Sequence, residues 1–136
     1  MWLHENKEIS KLEDFPEGTF GFVYEIEHLP TGKKYLGRKQ LIFNRTLPPL
    51  KGYKRKRKVQ KESDWLTYYS SHKELKELRK SGKVEDFKRT ILRFVPTKKL
   101  LTYYENRYLF ENKVIEPDSN YINDNIEGRY FRKDFL

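Results

Sequence analysis

A chain of 136 residues is bounded to one domain with one core. Lysine and arginine total 29 against 20 acidic residues, and the resulting charge of +9 favours a polyanionic partner. Aromatic residues, at 15%, are too frequent for a disordered chain, the lack of cysteine excludes a disulfide frame and a thiolate metal site, and no apolar run reaches membrane-span length. The start, MWLHENKEIS, carries no signal-peptide core, so the expectation is a soluble, cytoplasmic protein with no membrane partner.

Residues 1 to 18 scatter Trp2, Leu3, Ile9, Leu12 and Phe15 among charges, a pattern that fits either a short strand or an arm on the body. The stretch from Gly21 to Gly37, GFVYEIEHLPTGKKYLG, reads as a β-hairpin. Phe20, Phe22, Tyr24 and Ile26 alternate at the period of a strand, and Val23 makes the second face partly apolar. Pro30 and Gly32 mark the turn. Tyr24 and Tyr35 then fall on neighbouring antiparallel strands, in the same region of the sheet. Arg38 follows the hairpin directly, and Arg45 precedes Pro48-Pro49, which stops regular structure.

The segment KGYKRKRKVQK, Lys51 to Lys61, holds seven cations in eleven residues and no apolar face, which predicts an irregular surface loop. Lys51, Lys54, Arg55, Lys56, Arg57, Lys58 and Lys61 suit phosphate contacts, which position a nucleic acid without reading its sequence. The alternative is a solvated charge run. Ser63 or Asp64 caps a short helical turn at Trp65, and Ser71 caps a helix over HKELKELRKSG with Leu75 and Leu78 in the core and Gly82 as its stop. FKRTILRFV, Phe87 to Val95, is the clearest buried strand.

Thr97 caps a helix over residues 98 to 113, in which Leu101, Tyr104 and Tyr108 recur at three-to-four spacing. Glu105 lies near that apolar face, either as an edge glutamate reaching water or as a carboxylate held in a cleft for a cation. The polar tail from Asn120 to Asn125 is turn-prone, and residues 128 to 132 add a strand or cover. His4, His28 and His72 share no metal-ligand spacing and read as surface residues. The elements together predict an α+β domain with a small three-stranded antiparallel sheet flanked by helices.

With these residues in place, the chain resembles the GIY-YIG nuclease family over about residues 19 to 126, with the basic segment 51 to 61 as an insertion. Phe22-Val23-Tyr24, preceded by Gly21, stands at the first motif, and Tyr35-Leu36-Gly37 at the second, eleven residues on from tyrosine to tyrosine. The resemblance implies a divalent-metal-dependent DNA endonuclease using Mg²⁺ or Mn²⁺, with Glu105 as the metal ligand. It implies that Tyr24 or Tyr35 orients or deprotonates the attacking water. It also implies a catalytic arginine, Arg45 or, because prolines interrupt a helix there, Arg38. The family's asparagine corresponds to Asn123, with Asn120 and Asn125 as alternatives.

A small, free-standing, basic module of this kind is similar to phage proteins that act in the host cytoplasm. The short stretch after Asn125 holds no appended targeting domain, so specificity is expected from the module, the Lys51 to Lys61 segment, a second copy or a partner protein. The alternative function is a non-catalytic, basic nucleic-acid-binding protein on the same fold.

Overall fold

The computed structural model describes residues 1–136. In chain order its strands are β1 (Trp2–His4), β2 (Lys7–Ile9), β3 (Gly21–His28), β4 (Lys33–Gln40), β5 (Ile42–Leu47) and β6 (Arg57–Glu62). Helix α1 (Lys73–Ser81), strand β7 (Phe87–Val95), helix α2 (Lys98–Glu111) and the short strands β8 (Asn125–Ile126) and β9 (Tyr130–Phe131) follow. No helix is long and apolar enough to cross a membrane.

The main sheet runs in the order β2-β1-β7-β3-β4. Its centre is the antiparallel trio β7-β3-β4, but the sheet is five-stranded and mixed and not the three-stranded antiparallel sheet expected. Trp2 and Leu3 of β1 pair in parallel with Arg89 and Thr90 of β7, and β2 folds back on β1. The sequence does not reveal these outer strands because three residues are too few to display a period.

Strand β3 is central because both of its faces are apolar. Phe22, Tyr24 and Ile26 enter one core with Trp2, Phe15, Trp65, Leu75 and Ile91. Val23 enters a second core on the opposite face, with Leu36, Val95, Leu101, Leu109, Val114, Ile115 and Ile126. Helix α2 covers that second face, and Gly21 lets it come close: a Cβ there would lie 2.7 Å from Leu101 Cδ2 and 2.7 Å from the Lys39 carbonyl oxygen. The Thr97 side chain caps α2 by accepting from the Leu100 N–H at 3.2 Å.

Three local expectations need correction. His72, not Ser71, is the residue that precedes α1, and it makes no side-chain cap. The histidines are not free surface residues. His28 is buried, with its ring against Phe87 and Nδ1 2.7 Å from Thr31 Oγ1, and His4 packs on Phe94. Most consequentially, Lys51–Lys61 is not an irregular loop throughout. Its second half is β6, which pairs with β5 to form a two-stranded ribbon. The cross-strand partner is missing from any local reading of the basic run, so the pairing is invisible there.

Candidate active site

Strand β4 is an edge strand, and its outward-facing backbone groups are satisfied one after another. Lys34 donates to the Asn120 carbonyl at 3.0 Å and accepts from the Ile122 N–H at 2.7 Å. Two residues on, the Asn123 side chain supplies both bonds: its Oδ1 accepts from the Leu36 N–H at 3.1 Å and its Nδ2 donates to the Leu36 carbonyl at 2.8 Å. Two residues further, Arg38 faces Glu105 of α2, with Arg38 Nη1 3.0 Å from Oε1. A polar cleft of about 500 Å³ lies along this edge, lined by Tyr35, Arg38, His72, Glu105, Asp124 and Glu127 among others. Because it wraps an edge, side chains from both faces of β4 reach it.

Glu105 lies on the buried stripe of α2, one turn from Leu101 and one from Leu109, which are both buried. Burial pushes its carboxyl above the ordinary glutamate value, while the Arg38 guanidinium and backbone N–H pull it back and Glu127 adds to the rise. The cation that meets this carboxylate in the structure is Arg38, and both line the cleft.

Tyr24 and Tyr35 are diagonal neighbours on one face, since Tyr24 pairs with Gly37 and Tyr35 with Ile26. Their ring centroids are 6.4 Å apart. Only Tyr35 lines the cleft; Tyr24 is 1% exposed and stands behind it. Gly37 makes room for that arrangement, because a Cβ there would meet Tyr24 Oη at 2.7 Å and Tyr35 Cε1 at 3.0 Å. Burial raises both phenols, Tyr24 well above the usual tyrosine value, and the neighbouring Ser70 hydroxyl offsets part of the rise in each. Both are neutral hydrogen-bonding groups at ordinary pH.

The remaining positions divide. Arg45 sits on β5 opposite Val59, on a strand and not on a helix, and does not line the cleft. Of the two arginines, Arg38 is the one that lines the cleft. Asn123 is 5% exposed and its amide is consumed by Leu36. Asn125 lines the cleft but Asn120 does not; its Nδ2 donates to the Gly32 carbonyl at 3.1 Å. Lys51, Lys54, Arg55, Lys56, Arg57, Lys58 and Lys61 all lie on the ribbon or its tip.

Sequence reasoning missed several residues here. His72 stacks on Tyr35 with centroids 4.9 Å apart and places Nε2 3.0 Å from Asp124 Oδ2. Ser70, buried in a left-handed backbone conformation at φ 76°, accepts the His72 N–H at 3.0 Å. Arg89, in the middle of β7, is 3% exposed, stacks on Trp2 and Tyr69, and donates to the Leu66 and Tyr68 carbonyls at 3.0 and 2.8 Å. It thereby fixes the segment that carries Tyr68 and Ser70. The available signal was the hydroxyl-rich run Tyr68-Tyr69-Ser70-Ser71-His72, which has no period of its own.

The family model described as "Putative endonuclease segE, GIY-YIG domain" matches residues 2–126. The chain belongs to this GIY-YIG family. No curated protein and no solved structure matches it. The match begins at β1, so the GIY-YIG module here includes the outer strands as well as the hairpin. Its motif glycines have physical reasons in this chain: Gly21 admits α2, and Gly37 admits the Tyr24 phenol. The family is one of nucleases, and DNA is the substrate that an endonuclease implies.

The cleft fits the divalent cation that such a nuclease implies. No group of three or more His, Cys, Asp or Glu side chains forms an all-protein cage. Mg²⁺ does not require one, since it commonly takes one or two carboxylates and keeps waters. Glu105 and Glu127 would supply those carboxylates. The adjacent Asn106 Oδ1 is buried without a hydrogen-bond partner, and its Nδ2 donates to Glu127.

Proposed function

We propose that this protein is a divalent-metal-dependent DNA endonuclease whose reaction takes place along the β4 edge. The observation that carries the proposal is the pairing of Glu105 with Arg38 in a polar cleft of a chain with charge +9. A protein that only bound DNA would gain from cations at such a place, whereas a half-buried carboxylate repels phosphate. The metal, held by Glu105 and Glu127, would supply Lewis acidity toward the scissile phosphate and neutralise developing charge.

The other roles belong to the chain's own groups. Arg38, about half-exposed, offers its planar fork to the non-bridging phosphate oxygens. Displacing its ion pair with Glu105 would free both partners for the substrate. Tyr35, on the cleft wall, hydrogen-bonds and orients the attacking water. His72, held by Asp124, stacks on Tyr35 and fixes the orientation of its ring on the cleft wall. Tyr24 acts from behind, holding the Tyr35 ring in place. Asn123 is a positioning residue that keeps the β4 edge straight.

Incubation of supercoiled plasmid with the protein tests this, with Mg²⁺, with Mn²⁺ or with EDTA, beside Glu105→Ala. Metal-dependent nicking or linearisation that the variant loses is the expected result. Salt-sensitive binding without cleavage under every metal condition would replace it with the non-catalytic binding protein.

A further inference from the structure

The β5–β6 ribbon is more than a holder of charge. Its root is clamped: Leu41 is buried, its N–H donates to the Phe20 carbonyl at 2.8 Å, and its carbonyl accepts from the Ser63 N–H at 2.9 Å. Ser63 Oγ also donates to the Gln40 carbonyl at 2.6 Å, and Lys39 Nζ lies 2.5 Å from Asp64 Oδ1. Beyond that root, both strands are exposed or half-buried along their length and are bonded chiefly to each other. An isolated two-stranded ribbon is marginal in water, so this one is built to be completed by something outside the fold.

The occupant is indicated by charge. Residues 42 to 62 carry eight cations and a single carboxylate, Glu62, at the root. The register then separates two faces. Asn44 lies opposite Gln60 and Thr46 opposite Lys58, so one face presents amides, a hydroxyl and a lysine. The other alternates cations with apolar side chains: Phe43 with Lys61, Arg45 with Val59, Leu47 with Arg57. Neutral amides add no charge for counterion release at phosphates, whereas a bidentate amide matches the paired donor and acceptor of adenine in the major groove.

We propose that the ribbon enters the major groove of duplex DNA and reads base edges with its Asn44–Thr46–Lys58–Gln60 face. The inference rests on the reading of DNA as the substrate and adds a sequence preference to it. Six residues per strand at about 3.4 Å each span roughly 20 Å, and a groove about 12 Å wide admits a two-stranded ribbon. The basic tip, Lys54 to Arg57, meets the flanking phosphates. A-form RNA excludes this mode because its major groove is too deep and narrow for side chains to read. Since β5 follows β4 almost directly, the bases read lie on one side of the phosphate placed at the cleft.

Selection of bound duplexes from a random-sequence pool, in EDTA, tests the inference without requiring cleavage. The wild-type protein is expected to enrich A·T pairs at fixed positions by about tenfold or more. Asn44→Ala with Gln60→Ala should abolish that enrichment while thermal unfolding stays unchanged, because both side chains are exposed. Arg45→Ala, on the opposite face, should weaken overall retention and preserve the preference. An unenriched wild-type pool, a preference that survives the double substitution or is lost with Arg45→Ala, or equal retention of duplex RNA would each overturn it. A protein that selects duplexes but never cuts keeps this inference and loses the endonuclease reading; cutting without selection does the reverse.

Discussion

The β4 edge and the ribbon that follows it are neighbours in the chain and opposites in construction. Along the edge, the outward N–H and carbonyl groups of Lys34 and Leu36 have partners from another part of the chain, and two cores pack the sheet from both faces. The ribbon has its own ladder, a clamped root and little else. The comparison teaches a division of labour. On the proposed reading, chemistry that depends on sub-ångström placement sits where the fold over-determines it, and recognition sits on an arm that the nucleic acid would complete.

The strongest way to break that division is Glu105→Ala. It should lower cleavage by about a hundred- to a thousandfold, the usual effect of removing a group that manages transition-state charge. DNA retention should stay equal or tighten, since a carboxylate leaves the phosphate path; a filter-binding assay beside the plasmid assay checks both. Next comes Asn123→Ala, which leaves the Leu36 N–H and carbonyl buried and unpaired at about 1–3 kcal/mol each. Denaturant unfolding should record the loss, and cleavage should fall because Tyr35 and Arg38 flank Leu36. Gly37→Ala should cost about 1–3 kcal/mol by overpacking against Tyr24. If stability is unchanged, the phenol is not held as described.

Alkaline stability sharpens the account of the tyrosines. Folding raises the Tyr24 and Tyr35 phenols above the unfolded value of about 10. The native state therefore holds those protons more tightly. Their contribution is whole below about pH 10 and is lost as pH rises through the folded values. Melting temperatures measured upward from pH 8 should fall on the alkaline side, and Tyr24→Phe should blunt that fall. The smallest effect is on the ribbon: replacing Lys54, Arg55, Lys56 and Arg57 with Gln should leave unfolding unaltered and flatten the salt dependence of DNA binding by about 0.9 for each phosphate contact removed.

What could be read from the sequence follows the range of the interactions. Strand β7 and the capped start of α2 declare themselves through the apolar cluster Ile91, Leu92, Phe94 and Val95 and a Thr-capped helical stripe, which are local signals. The adjacency of Tyr24 and Tyr35 on paired strands and the position of Glu105 beside the apolar stripe of α2 were legible from the same kind of local pattern. The place of Arg45 on β5 was not legible, because one-dimensional distance from Gly37 does not say whether a residue stays on the edge or leaves it on a ribbon. His28 and Arg89 could not be assigned, since a polar residue in a strand reads as solvent-facing until its partners, here Thr31 and the Leu66 and Tyr68 carbonyls, arrive from elsewhere. The ribbon itself is a pairing between a polar strand and a basic run, and neither half carries a hydrophobic face to announce it.

Amide hydrogen exchange with and without duplex DNA tests the division of labour most directly. In the free protein, amides of β3, β4 and β7 should exchange slowly and those of β5 and β6 quickly. Adding duplex should slow the ribbon selectively, leaving the sheet centre as it was. Ribbon amides already as slow as β3 without DNA, or unmoved by saturating duplex, would contradict the account.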